Sequence, residues 1–93
     1  MPISYTQRVS VPENVLFREV GDEAALVNLN ESMYFGLDDV GTSMWKALTT
    51  SSSIQEACDA LLEEYEVEPA VLQTELNRLL EELMEHGLLK LDN

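Results

Sequence analysis

Basic side chains are scarce in this sequence of 93 residues, which has 5 Lys and Arg residues, 18 Asp and Glu residues and a formal net charge of −13 at pH 7. Such a charge repels nucleic acid phosphates and anionic lipid headgroups. The single cysteine, Cys58, excludes an internal disulfide or a cysteine metal cluster and fits a reducing compartment. The longest apolar run, residues 24–27, is far shorter than the roughly 20 residues that span a bilayer. We therefore expect a cytoplasmic protein with no nucleic acid or membrane partner.

Side chains able to carry out catalysis are also few. The one histidine, His86, directly precedes a glycine that closes the last predicted helix, where an imidazole interacts favourably with the helix dipole. Cys58 lies on an apolar helical stripe, where a buried thiol behaves as a small hydrophobic group. The carboxylates lie outside the apolar stripes, and none belongs to a calcium-binding loop. The sequence thus predicts no catalytic residue, no metal site, no cofactor and no enzyme activity.

The first half of the chain has the pattern of a small antiparallel sheet. A hydrophobic content of 45 % is enough for one small globular domain at this length. Residues 1–14 are predicted to be an extended arm. Gly21 and Asn30, which tolerate the positive φ of tight turns, separate the β-like runs that follow. These runs, each predicted to be a strand, span residues 15–20, 24–29 and 32–37.

Three helices are predicted after the third strand, where the apolar period changes from 2 to about 3.6 residues. Asp38 or Asp39 can cap the first helix, and Ser53 begins the capping box of the second. Pro69 suits the first turn of the third helix, and Gly87 closes it. The apolar stripe of the third helix spans roughly 140°, whereas one neighbour needs only about 100°. Part of that stripe is therefore expected to face a second surface.

Together these elements predict an α+β protein with a winged-helix-like arrangement over residues 15–93, an N-terminal three-stranded antiparallel sheet followed by a three-helix bundle. Residues 88–91 are expected either to form a short strand or to cover the core. Many winged-helix domains bind DNA through the last helix. Here that helix carries four glutamates against one basic residue, Arg78, so we expect a different ligand.

Several short motifs follow one another in a distinctive order between residues 8 and 91. They are Leu26-Val27-Asn28-Leu29-Asn30, Tyr34-Phe35-Gly36-Leu37, Val40-Gly41 with Trp45 and Leu48, Ile54-Gln55-Glu56-Ala57, Tyr65-Glu66-Val67, Leu79-Leu80-Glu81-Glu82-Leu83 and Gly87-Leu88-Leu89. In this order and spacing the chain resembles the PqqD-like family. The resemblance implies a RiPP recognition element, a small winged-helix-like domain that binds the leader segment of a ribosomally made precursor peptide and presents it to modifying enzymes.

The resemblance also implies where the peptide binds. The leader adds as an antiparallel strand to the free edge of the third predicted strand and lies against the third helix. The predicted strand order agrees, because it leaves one edge of the third strand unpaired. Such an edge offers backbone donors and acceptors to an added strand. Met33 and Phe35 lie on one face of that strand and Tyr34 on the other, and the sequence leaves open which set lines the groove. The candidate peptide-binding residues are Met33, Tyr34, Phe35, Leu72, Glu75, Leu76, Leu79 and Leu83.

Three functions follow from the sequence. The favoured one is a leader-binding protein of lasso-peptide biosynthesis, the subunit of a split leader peptidase, since residues 28–30 and the surroundings of Trp45 are similar to those members of the family. The first alternative is a PqqD-type peptide chaperone of quinone-cofactor biosynthesis, and the second is a generic acidic winged-helix module for protein interaction. The expected partners are a precursor leader peptide and a leader peptidase or another modifying enzyme.

Overall fold

The computed structural model describes residues 3–92, and residues 1, 2 and 93 lie outside that range. The elements, in chain order, are β1 (Arg8–Ser10), β2 (Val15–Val20), β3 (Glu23–Asn28), β4 (Met33–Leu37), α1 (Asp39–Thr50), α2 (Ile54–Glu64), α3 (Pro69–Glu85) and β5 (Lys90–Asp92). Strands β2, β3 and β4 form an antiparallel sheet with β3 in the centre, and β1 pairs with β5. The predicted α+β class, with three consecutive strands before three helices, is confirmed.

The two turns of the sheet differ from each other. Gly21 has a φ of +66° between β2 and β3, as the turn prediction requires. In the second turn the positive φ, +53°, belongs to Ser32, so the prediction for Asn30 was wrong. The backbone N–H of Asn30 instead donates to the side-chain oxygen of Asn28 at 3.1 Å. This local bond already bends the chain after β3, and the left-handed residue comes two positions later.

The helix ends lie where the capping residues predict them. Asp38 Oδ1 accepts a hydrogen bond of 2.7 Å from an amide in the first turn of α1. Ser53 Oγ accepts one of 3.1 Å from the N–H of Glu56 at the start of α2. Pro69 occupies the first turn of α3, and Gly87, with a φ of +70°, follows its end. The side chains of Asp38 and Ser53 satisfy amides that helix starts leave without partners, whereas α3 begins without a side-chain cap.

The core lies between one face of the three-stranded sheet and the helices. Its fully buried side chains include Leu26 of β3 and Leu48 of α1. The ring of Trp45 stacks on Phe17 of β2 with 5.9 Å between centroids. Tyr65, at the end of α2, is half-buried, and its hydroxyl is hydrogen-bonded to Ser43 Oγ at 2.9 Å.

Within the described part of the chain, no helix is long and apolar enough to cross a membrane.

The segment predicted as an extended arm contains β1. Its register with β5 pairs Arg8 with Asp92 and Ser10 with Lys90, so the last residues form a short strand rather than only a cover for the core. Ahead of β1, Tyr5 contacts both later helices. Its backbone oxygen accepts from the first turn of α2 at 2.9 Å, and its hydroxyl donates to Asn77 of α3 at 2.8 Å. This segment therefore joins β5 to α2 and α3.

Candidate functional site

The free edge of β4 is the first component of the site. Within the described residues, β4 pairs with β3 along one side and has no strand along the other. The backbone N–H and C=O groups on that side are available to an extended chain, which is how strand addition begins. Five residues, Met33–Leu37, form this edge.

A cleft of about 190 Å³ opens beside the end of β4, between α1 and α3. It is lined by Asp38, Val40, Gly41, Met44, Glu75, Arg78, Leu79 and Glu82. Asp38 directly follows the last residue of β4, so one wall of the cleft begins where this strand ends. Its apolar lining comes from Val40 and Met44 of α1 and from Leu79 of α3, whereas the other side chains are mostly charged.

An aromatic contact joins β4 to the far end of α3. The ring of Phe35 meets the imidazole of His86 edge to face, with 5.4 Å between centroids. His86 is the C-terminal capping residue of α3, and its Nδ1 lies 2.7 Å from the backbone oxygen of Glu82. We name the free edge of β4, this aromatic contact and the cleft together the β4–α3 groove.

The two faces of β4 differ in their surroundings. Phe35 pairs with Leu26 in the register, is half-buried and packs against the core on the helix-facing side. Met33 shares that side by alternation and is 41 % exposed. Tyr34 lies on the opposite side and is 77 % exposed. Met33 and Phe35 therefore lie on the side of β4 that faces the helices, and Tyr34 lies on the other side of the same free edge.

The candidate residues of α3 lie in two different environments, the cleft and the core. Glu75 and Leu79 line the cleft, as the sequence suggests. Leu72, Leu76 and Leu83 are instead core residues, with exposures of 4 %, 0 % and 0 %. With Leu80 they follow a helical repeat that faces the other helices and the sheet. Their side chains are therefore not accessible to a ligand in this structure, which corrects their assignment to the groove.

Sequence reasoning missed several groove residues. Val40 of α1 is 39 % exposed and faces the cleft. Arg78 and Glu82, two charged residues of α3, also line it, and His86, predicted only as a helix-end residue, contacts Phe35. The available signal was position, since Val40 lies three residues after the end of β4. Arg78 and Glu82 flank Leu79 on the surface of α3.

The groove is negatively charged. Asp38, Glu75 and Glu82 face it together with a single cation, Arg78. The nearest Arg78–Glu75 atoms are 3.9 Å apart and both side chains are largely exposed, so this pair contributes at most about 1 kcal/mol. A peptide with a positive charge therefore finds a favourable field along the groove.

The described residues include potential metal ligands and one cysteine thiol, that of Cys58. Among residues 3–92, no three His, Cys, Asp or Glu side chains are placed to share a metal ion. Cys58 is fully buried in α2, and burial raises the pKa of its thiol, with a further increase from Asp59. A thiol in this state is neutral and out of reach of a substrate.

Comparison with known proteins identifies the family. The profile described as Coenzyme PQQ synthesis protein D (PqqD) matches residues 23–89, more than half of the chain. The chain belongs to the PqqD family. The match runs from the start of β3 to the residue before β5, so this PqqD-family region includes β4, α1 and α3. The resemblance that the motifs indicate is thereby confirmed.

A solved structure resembles this PqqD-family protein along most of both chains. It is that of TbiB1 in complex with the TbiA(beta) leader peptide, with a TM-score of 0.81 and 31 % sequence identity. The alignment covers 87 % of the present chain and 94 % of TbiB1. No curated protein matches the sequence significantly.

Proposed function

We propose that this PqqD-family protein binds the leader segment of a ribosomally synthesised precursor peptide and presents it to a modifying enzyme. The observation that carries the proposal is the free edge of β4 beside a partly apolar cleft. It is supported by the likeness to TbiB1, a protein whose structure contains a leader peptide.

In this proposal the leader adds as a fourth strand next to β4. Backbone hydrogen bonds to β4 hold almost any extended sequence, so selectivity comes from side chains. Alternate residues of the added strand point toward the helices, where Phe35, Val40 and Leu79 offer apolar contact. The residues between them point to the other face of the sheet, beside Tyr34. The peptide is thus recognised through every second side chain.

Charge adds a second criterion for the peptide. The acidic side chains of the groove favour a leader in which Lys or Arg accompanies the apolar anchor residues. The net charge of −13 extends this attraction beyond contact distance, and salt weakens it over about 8–10 Å at physiological ionic strength. We therefore expect the leader to associate faster at low ionic strength.

In this proposal the protein delivers the precursor to a partner enzyme and does not itself catalyse a reaction. A partner enzyme that receives the precursor already bound to this chain meets it at a raised local concentration. The lasso-peptide pathway is our first candidate, with a leader peptidase as partner. The family description itself favours a second candidate, a peptide chaperone of quinone-cofactor biosynthesis.

A titration followed by NMR tests the binding site. Isotope-labelled protein is mixed with synthetic TbiA(beta) leader peptide, and in parallel with the leader of any precursor encoded beside this chain. We expect amide shifts at residues 33–37 and at Val40, Leu79 and His86. A leader of scrambled sequence serves as the control. Shifts restricted to α2 or to the β1–β5 pair, or no shift with either leader, would refute the proposal.

A further inference from the structure

A buried asparagine connects the two walls of the β4–α3 groove. Asn28, the last residue of β3, is 4 % exposed and lies in the register opposite Met33 of β4. Its Oδ1 accepts hydrogen bonds from Asn14 Nδ2 at 2.8 Å and from the backbone N–H of Asn30 at 3.1 Å. Its Nδ2 donates to the backbone oxygen of His86 at 3.4 Å. One amide therefore joins the sheet, the turn before β4 and the end of α3.

We propose that Asn28 is a positioning residue for peptide binding, which sets the distance between the end of α3 and the free edge of β4. This inference rests on the proposed function, and it assigns a role to a residue that has no access to the peptide. Asn28 acts through His86, because it holds the backbone of the residue whose ring packs on Phe35. The position of that pair determines how wide the groove is at this end.

The end of α3 explains why an amide is needed here. The N–H groups of Gly87 and Leu88 donate to the backbone oxygens of Met84 and Leu83 at 3.1 and 2.8 Å, so the capping turn gives two of the last carbonyls of α3 their partners. The carbonyl of His86 points away from the helix to Asn28. An apolar residue at position 28 would leave this carbonyl without its side-chain partner at a part-buried site, which would favour a shift of this turn. The two residues are neighbours, since a Cβ on Gly87 would lie 3.5 Å from Asn28 Nδ2, an ordinary van der Waals distance.

The substitution Asn28→Asp separates positioning from packing. A carboxylate of the same shape still accepts from Asn14 and Asn30, but it has no N–H for the carbonyl of His86 and repels it. The matched control is Asn14→Ala, which removes the hydrogen bond to Asn28 Oδ1 and leaves the contact with His86 intact. Both variants lose one hydrogen bond of the same network, and only Asn28→Asp loses the one that reaches α3.

Three measurements are made on each protein: affinity for fluorescein-labelled TbiA(beta) leader peptide and for a labelled leader encoded beside this chain, melting temperature by circular dichroism, and the NMR signals of Phe35 and of the Gly87 amide. We expect Asn28→Asp to remain folded at the assay temperature, to bind at least 10-fold more weakly and to shift the Phe35 and Gly87 signals. Asn14→Ala should melt at a lower temperature, keep its affinity within 2-fold and leave those two signals in place.

Several results would overturn the inference. One is wild-type affinity in folded Asn28→Asp, and another is an affinity loss in Asn14→Ala that parallels its loss of stability. If Asn28→Asp does not fold, Asn28→Ser replaces it, because serine still accepts from Asn30 but is too short to reach His86. Failure of both variants to fold would assign Asn28 to stability alone. The wild-type protein is the separate test of the proposed function, since the absence of binding there refutes that function whatever the variants do.

Discussion

The substitution Leu79→Glu tests the groove most directly. Leu79 is half-buried and lines the cleft, so a bound peptide would cover the part of its side chain that is still exposed. Complete burial of a leucine contributes about 1.5–3 kcal/mol, so this remaining part contributes about 0.5–1 kcal/mol. Covering a carboxylate without a partner costs at least about 1–3 kcal/mol more. A total of about 2 kcal/mol corresponds to roughly 30-fold weaker binding.

Two variants on the same helix make the result specific. Val71→Glu adds the same charge at a position that is 53 % exposed and outside the cleft, and its affinity should stay within about 2-fold. Leu72→Glu buries a charge in the core and should lower the melting temperature by about 15 °C or more. Fluorescence polarisation with labelled leader gives the affinities, and circular dichroism gives the melting temperatures. Folded Leu79→Glu with wild-type affinity, or equal losses in Val71→Glu, would refute the groove.

Three further outcomes are expected. Ser53→Ala removes the side-chain cap of α2 and should lower the free energy of unfolding by about 1 kcal/mol, or the melting temperature by about 4–8 °C, whereas an unchanged melting curve would contradict the capping role. Because burial raises the pKa of Cys58, the unfolded thiol ionises first, so stability should fall as the pH rises past the ordinary value of 9.0. This fall should be smaller in Cys58→Ala, where Tyr5, whose pKa burial also raises above its ordinary value of 10.0, still contributes, and an equal fall in that variant would contradict the argument. Random duplex DNA should give no gel shift even at low ionic strength, and a shifted band would contradict the charge argument.

Most of the fold could be predicted because its signals are local. The capping residues Asp38 and Ser53, the turn at Gly21 and the change of apolar period each act over a few residues. The pair of β1 and β5 could not be predicted in this way. A short strand at residues 88–91 was one of two expectations, but each of these strands has only three residues, and an alternation this short does not indicate the partner strand.

The site was harder to predict because it depends on how α3 is rotated. The periodicity of α3 shows a wide apolar stripe, but packing decides which part of the stripe meets the core. The structure turns Leu76 and Leu83 inward and leaves Leu79 at the edge of the stripe, facing the cleft. Val40 was missed for a related reason, since an apolar residue in the first turn of a helix can face the core or a groove with the same spacing.

The pairing of β1 with β5 has a consequence for the order of folding. Ser10 and Asp92 are 82 residues apart in sequence and hydrogen-bonded through their side chains at 3.2 Å. Contacts between distant residues form slowly, because the entropy of closing the intervening loop is lost before the contact stabilises anything. The hairpins of β2, β3 and β4 join neighbouring segments and can form early. We therefore expect β1 and β5 to pair late in folding, after the sheet and helices have brought them together, so that substitutions in this pair accelerate unfolding more than they slow folding.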